Sequence, residues 1–315
     1  MYRYLVRRIL LIFPTVLFAG TLCFFLLRVM PGDIVTTLNS EGGASIEAME
    51  RLRSDLGLND PLLVQYGRWL WGAMQGDLGY SHLRDRNVSE FVVDRLETTL
   101  TMAVFAMTLS LLIAIPTGII SAIKRGSLTD QFIRIITAIC LAMPPFWVGI
   151  MIVLVTSIYF NWVPPLIYKP FFEDPFTNIR QMMFPVLAAA LASSAVISRL
   201  MRSMMLEVLY QDYIRTARSK GLLERNVIIR HAMKNALVPV LTMCGFHFSA
   251  ILGGVVVIET VFNLPGMGRQ LLVSALTRDT DMVLGIVLAL TVILSVWILI
   301  IDLIYAFVDP RIRYQ

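Results

Sequence analysis

Six apolar stretches, each long enough to cross a lipid bilayer, limit what this 315-residue chain can fold into more than any other feature. A helix needs roughly 20 mainly apolar residues to span the hydrocarbon core. The stretches run at about 9–27, 98–123, 135–160, 182–198, 236–258 and 282–306, and only Asp302 interrupts them with a charge. Charged residues make up 16% of the chain, against about 25% in a soluble domain. The expectation is an all-α, polytopic membrane protein with six transmembrane helices.

Six spans leave both termini on one side, and Lys and Arg in the short loops select that side. Basic residues gather at the N-terminus (Arg3, Arg7, Arg8), between spans two and three (Lys124, Arg125, Arg134) and at the C-terminus (Arg311, Arg313). The loop between spans four and five carries Arg199, Arg202, Arg215, Arg218, Lys220, Arg225, Arg230 and Lys234. The short loops of the other side hold only Lys169, Arg180, Arg269 and Arg278. Both termini and the 199–235 loop are therefore expected in the cytoplasm. The net charge of +5 needs no nucleic acid to explain it. Residues 1–30 read as an uncleaved signal anchor, because the apolar run is long and Met30-Pro31-Gly32-Asp33 follows where a cleavage site would stand. Cys23, Cys140 and Cys244 each fall inside a span without pairing spacing, so neither a disulfide nor a zinc site is expected.

Residues 31–97 form an extracytoplasmic loop with its own helical signals. Ser45 stands where an N-cap belongs, with Glu47 in the first turn and Gly57 at the end. Asp60-Pro61 opens a second helix with Pro61 in its first turn, Leu63, Tyr66, Leu70 and Met74 mark its apolar face, and Gly76 closes it. Residues 76–81 read as a turn. On the other side, span four continues as a helix through Leu206, Tyr213 and Ile214 to a break at Gly221, since glycine readily takes the left-handed conformation that ends helices. Glu224 opens the next helix, and Pro239 marks re-entry into the membrane.

No catalytic set is visible. The chain lacks GxxxxGK[ST], so it has no P-loop to hold ATP phosphates. His82, His231 and His247 are dispersed and form no metal site by spacing. His247 lies in span five, either lining a pore or making a polar contact between helices. Pro116 and Pro144-Pro145 remove backbone donors within spans, giving either a pathway-lining bend or a packing irregularity. Ala188 and Ala192, and Gly253-Gly254, permit close helix packing. Residues 259–268, with Glu259 and the Leu264-Pro265-Gly266 turn, form either an outer gate or a tight connection. Spans without midplane charges argue against an ion-coupled carrier.

Several motifs resemble, in order and over nearly the whole chain, the permease subunits of ABC importers of the dipeptide, oligopeptide and nickel family. They are RRILLIFPT (7–15), LLRVMPGD (26–33), DLGLNDPLLVQYGRWL (55–70), GDLGYS (76–81), DYIRTARSKG (212–221), HAMKNALVPV (231–240), ETVFNLPGMGR (259–269) and DPRIRY (309–314). The general coupling motif of such importers begins Glu-Ala-Ala. Here Arg215, Thr216 and Ala217 occupy those places, as in the peptide subfamily, and Gly221 keeps the glycine.

The resemblance implies a type I importer permease fold in the bacterial inner membrane, with residues 98–315 as a five-helix core. It implies a second homologous permease, two cytoplasmic ATPases that bind ATP and magnesium, a periplasmic or lipid-anchored substrate-binding protein, and no cofactor on this chain. Residues 212–232 would couple to an ATPase. Ile214, Ala217, Leu222, Val227 and Ile228 would offer an apolar ridge, with Asp212, Tyr213, Arg215, Thr216, Arg218, Lys220 and Gly221 around it. Pro144, Pro145, His247, Glu259, Pro265 and Gly266 are candidates for the pathway or its gate. Peptides are the expected cargo. Nickel chelates, glutathione or another small solute are the alternatives within the same machine, and an ion-driven carrier or channel is the alternative outside it.

Overall fold

The computed structural model describes residues 2–29, 32, 34–37 and 45–308, with the side chains of 2–5, 7 and 305–308 outside that description. The 309–314 motif, Arg311, Arg313 and most of the Met30–Asp33 segment lie outside the described residues. The elements run α1 (Tyr2–Val29), α2 (Ile46–Asp55), α3 (Leu62–Met74), β1 (Tyr80–Ser81), β2 (Arg86–Asn87), α4 (Val88–Ile123), α5 (Leu128–Ala142) and α6 (Pro145–Phe160). Then come α7 (Pro175–Leu209), α8 (Asp212–Ser219), α9 (Lys234–Val261), α10 (Met267–Leu276) and α11 (Thr280–Val308). Among the described residues, five helical segments are long and apolar enough to cross a membrane, or six if α5 and α6 together make one span.

The chain divides into two compact units. The smaller comprises residues 1–98 and 265–296. Its caps form where the sequence places them: Ser45 accepts from the Ala48 amide at 3.3 Å, and α2 stops one residue before Leu56-Gly57. Tyr66 and Trp69 on α3 pack on Phe24 of α1 with ring centroids 5.4 and 5.5 Å away. The Tyr66 hydroxyl also meets Thr21 Oγ1 at 2.8 Å. The expected turn at 76–81 leads into a short antiparallel hairpin, β1 on β2, the one departure from all-α among the described residues. Buried Ser81 donates to Asp279 there. Val88, Phe91, Val92, Met267, Met282 and Ile286 form the core of this unit.

The larger unit comprises residues 99–264 and 297–315, and α7 is its centre. Ala188, Ala190, Ser194, Ala195, Ile197, Ser198 and Met201 are all buried there. Small residues let helices approach where lipid supplies no hydrophobic drive, and hydroxyls bind them together. A Cβ on Gly118 of α4 would stand 2.7 Å from the Ser198 carbonyl oxygen, so only glycine permits that approach. Thr117 and Ser198 hydroxyls meet at 2.8 Å, and Ser110 donates to the Ala190 carbonyl at 3.1 Å. Ala188 packs as expected, whereas Gly253 and Gly254 face open space within this chain.

Three boundaries differ from the sequence expectation. Span three is not one kinked helix: α5 and α6 meet at 99°, with Pro144 capping α6 and Pro145 at its first position. Two adjacent prolines suit a helix start, where the missing N–H groups have no intrahelical partner. The helix of span two begins at Val88, ten residues before its apolar run. Span four ends at Leu209, so Tyr213 and Ile214 belong to the separate α8.

Candidate functional site

The segment joining α7 to α9 is a short helix, a glycine turn and a widened helical entry. Asp212 in the first turn of α8 and Arg218 in its last complement the helix dipole. Gly221 has φ +76° and its N–H meets the Arg218 carbonyl at 2.9 Å, which satisfies one of the helix's end carbonyls. A Cβ there would touch nothing within 4 Å, so backbone conformation alone demands the glycine. Arg218 closes the turn with a two-pronged bond to Glu224, at 2.7 and 3.1 Å. One α-turn (Glu224–Asn226) and a π-helical segment (Val227–Met233) then lead into α9. Pro239, the expected entry point, lies inside that continuous helical run.

Side-chain directions correct part of the expected ridge. Ile214, Ala217 and Val227 are buried in this chain's own fold, because α8 packs back on the π-helical segment. They hold this segment together and are not available to a partner. Ile228 is half-buried. The apolar side chains that do face outward are Tyr213 (42% exposed), Leu222 (41%), Leu223 (74%) and Ile229 (43%). Asp212, Arg215, Thr216, Arg218 and Lys220 are exposed beside them. The Tyr213 hydroxyl accepts from Asn235 Nδ2 at 2.7 Å and donates to the His231 carbonyl at 3.4 Å, which ties α8 to the start of α9.

Sequence reasoning missed Leu223, Ile229 and Asn235. Leu223 was findable as the second leucine of an exposed pair after the turn glycine. Asn235 was not, since its role exists only once Tyr213 is placed.

Pro144 and Pro145 are exposed at the α5–α6 break, and His247 is half-buried on α9. Glu259 lies within the last turn of α9, not in the connection after it. It is fully buried and accepts from Thr99 Oγ1 at 2.7 Å, so it joins α4 to α9 and does not line an open channel here. In the smaller unit, Pro265 and Gly266 line a cavity of about 210 Å³ with Arg84, Arg95, Arg269, Gln270 and Val273. Arg95 donates to the Pro265 carbonyl at 3.2 Å. Residues after Gly266 form α10, a helix the turn reading did not anticipate.

The fold is thus a bundle of apolar helices carrying a cation-rimmed helix–turn–helix. The same fold occurs in the MetNI methionine ABC transporter, with TM-score 0.54, 14% identity, and cover of 70% of this chain and 96% of that one. A histidine-bound amino acid ABC transporter matches at TM-score 0.51 and 16% identity, with 70% and 94% cover. The fold class is thus that of ABC transporter membrane subunits.

Residues 114–314 match the family described as binding-protein-dependent transport system inner membrane component, and residues 1–103 match its N-terminal counterpart. The chain belongs to this family of inner-membrane transport permeases. The dipeptide transport system permease protein DppB of Escherichia coli (strain K12) is 36% identical over the full length of both chains. The oligopeptide transport system permease protein AppB of Bacillus subtilis (strain 168) is 38% identical, again over the full length of both.

Proposed function

We propose that this chain is one of two related permease subunits of an ATP-driven importer for di- or oligopeptides. The observation that carries this reading is the end-to-end similarity to permeases named for dipeptide and oligopeptide transport. Both termini and the α7–α9 connection face the cytoplasm, as the loop charges indicate. Two ATPase subunits bind ATP and magnesium, and this chain binds no cofactor of its own. A substrate-binding protein delivers the peptide from outside.

The helix–turn–helix supports a specific contact. Leu222 and Leu223 enter an apolar groove on an ATPase, and Arg215, Arg218 and Lys220 form the charged rim. ATPase closure moves α8 as a rigid body, because Tyr213 fixes it to α9 and the buried Ile214 and Ala217 lie where it packs on the π-helical segment. The spans then change which side of the membrane the pathway opens to.

The test uses proteoliposomes holding the complete transporter, with ATP inside and peptide-loaded binding protein outside. Labelled dipeptide should accumulate only with ATP. The Leu222→Asp/Leu223→Asp double variant should lose both the co-purifying ATPase and uptake. Uptake that follows an ion gradient without ATP would overturn the importer reading. Uptake of a nickel chelate or glutathione, with none of dipeptide, would overturn the cargo alone.

A further inference from the structure

Three guanidinium groups converge in the larger unit away from the coupling turn. Arg134 of α5 and Arg199 and Arg202 of α7 line a cavity of about 310 Å³ with Thr137 and Ala138. Their place along the chain fixes their depth. Arg134 is the last charge before the apolar run that begins at Ile135, and Arg199 is the first charge after the run that ends at Ser198. Arg199 therefore stands where hydrocarbon gives way to headgroups on the side rich in Lys and Arg, and Arg134 lines the same cavity. Another face of α5 turns Leu128, Phe132, Ile135 and Ile139 outward, as a lipid-embedded helix does.

The cavity is built, and its charge is only partly compensated. Arg202 donates through Nε and Nη2 to buried Asp130, each at 3.0 Å, which holds its guanidinium in place and leaves Nη1 uncommitted to that carboxylate. Asp130 is the one carboxylate ion-paired with the three arginines among the described residues. Two positive charges remain in excess at the edge of a low-dielectric medium. Arginine's planar fork suits phosphate oxygens, and basic pockets between membrane helices on the cytoplasmic side take anionic lipid headgroups.

We propose that this cavity binds the phosphate-bearing headgroup of an anionic phospholipid of the inner leaflet, held by Arg134, Arg199 and Arg202. The bound headgroup ties the inner end of α5 to α7, the helix that leads into the coupling turn. The identity of the transported solute has no bearing on this site.

The test titrates the assembled transporter, purified in neutral detergent, with phosphatidylglycerol, phosphatidylcholine or inorganic phosphate, and counts bound ligand by native mass spectrometry. Wild type should retain phosphatidylglycerol in preference to phosphatidylcholine. The Arg134→Gln/Arg199→Gln variant should bind it roughly thirtyfold more weakly, the loss expected for two interfacial cations. Thr137→Trp fills the cavity with the charges in place and should also lose the lipid, while Arg225→Gln, an exposed cation of the helical turn after Gly221, should not. Both site variants change half-exposed or exposed positions, and an unchanged melting temperature confirms that they fold. Equal phosphatidylglycerol binding by the double variant and wild type, or equal binding of phosphatidylcholine, would overturn the proposal. Inorganic phosphate that displaces the lipid would reassign the site to a soluble anion. A wild-type complex that binds no lipid would overturn it as well.

Discussion

Asp130 and Arg202 are 72 positions apart, yet they make the most buried ion pair described in the chain. The carboxylate is 1% exposed and also accepts from the Ser121 hydroxyl at 2.5 Å and the Gly126 amide at 3.0 Å. A buried charge is tolerated when its bonds are all made, and removing one partner leaves the other stranded. Arg202→Gln should therefore destabilise the chain by roughly 3 kcal/mol, the lower end for a buried pair because Arg202 is itself partly exposed. Asp130→Asn in the same chain should recover part of that loss. Thermal unfolding of the purified complex measures both, and a single variant as stable as wild type would show that the pair is not needed. Sequence alone marked Arg202 only as one of many loop cations, because a pairing between distant residues leaves no local pattern.

At the scale of elements, the turn between α8 and the helical entry to α9 carries the sharpest expectation. Gly221 holds φ +76° in open surroundings, so the cost of a substitution there is purely conformational. Gly221→Ala should cost about 1 kcal/mol. Gly221→Asn should be better tolerated, since asparagine enters the left-handed region more readily. Gly221→Pro, with φ held near −65°, should abolish ATP-driven uptake while the protein still inserts. Wild-type uptake by the proline variant would remove this turn from the coupling path. This element was legible because its signals are local: the glycine, the charges of the short helix and the glutamate beyond. The caps at Ser45 and Gly57 were legible for the same reason. The hairpin at Tyr80–Asn87, helix α10 and the 99° break at Met143-Pro144 were not. A two-residue strand has no periodicity to read, and two prolines in an apolar run look alike whether they bend a helix or start a new one.

At the scale of the molecule, the uneven distribution of Lys and Arg makes a statement about orientation that a single labelling experiment checks. Cysteine introduced at Gln75, the exposed residue that caps the end of α3, should react with an impermeant maleimide added outside intact cells. Cysteine at Lys220 should react only after the inner face is opened. The wild-type chain serves as the control, because Cys23, Cys140 and Cys244 all lie in apolar helices and Cys244 is 2% exposed. Outside labelling at Lys220 would reverse the topology and remove the α7–α9 segment as a site for a cytoplasmic ATPase.

The sequence by itself determined where the apolar stretches lie, which loops carry the cations, and where α2 and the Gly221 turn begin and end; it set the start of α3 one residue early, because Pro61 caps that helix and does not enter it. Each of these depends on hydrophobic length, charge or capping within a few residues. Only the tertiary structure decided that Ile214, Ala217 and Val227 face inward while Leu222, Leu223 and Ile229 face outward. It alone placed Glu259 against Thr99 and gathered Arg134, Arg199 and Arg202 around one cavity. Burial and charge pairing are set by neighbours remote in sequence, so a residue's type can show that it belongs in an interface without showing which interface it joins.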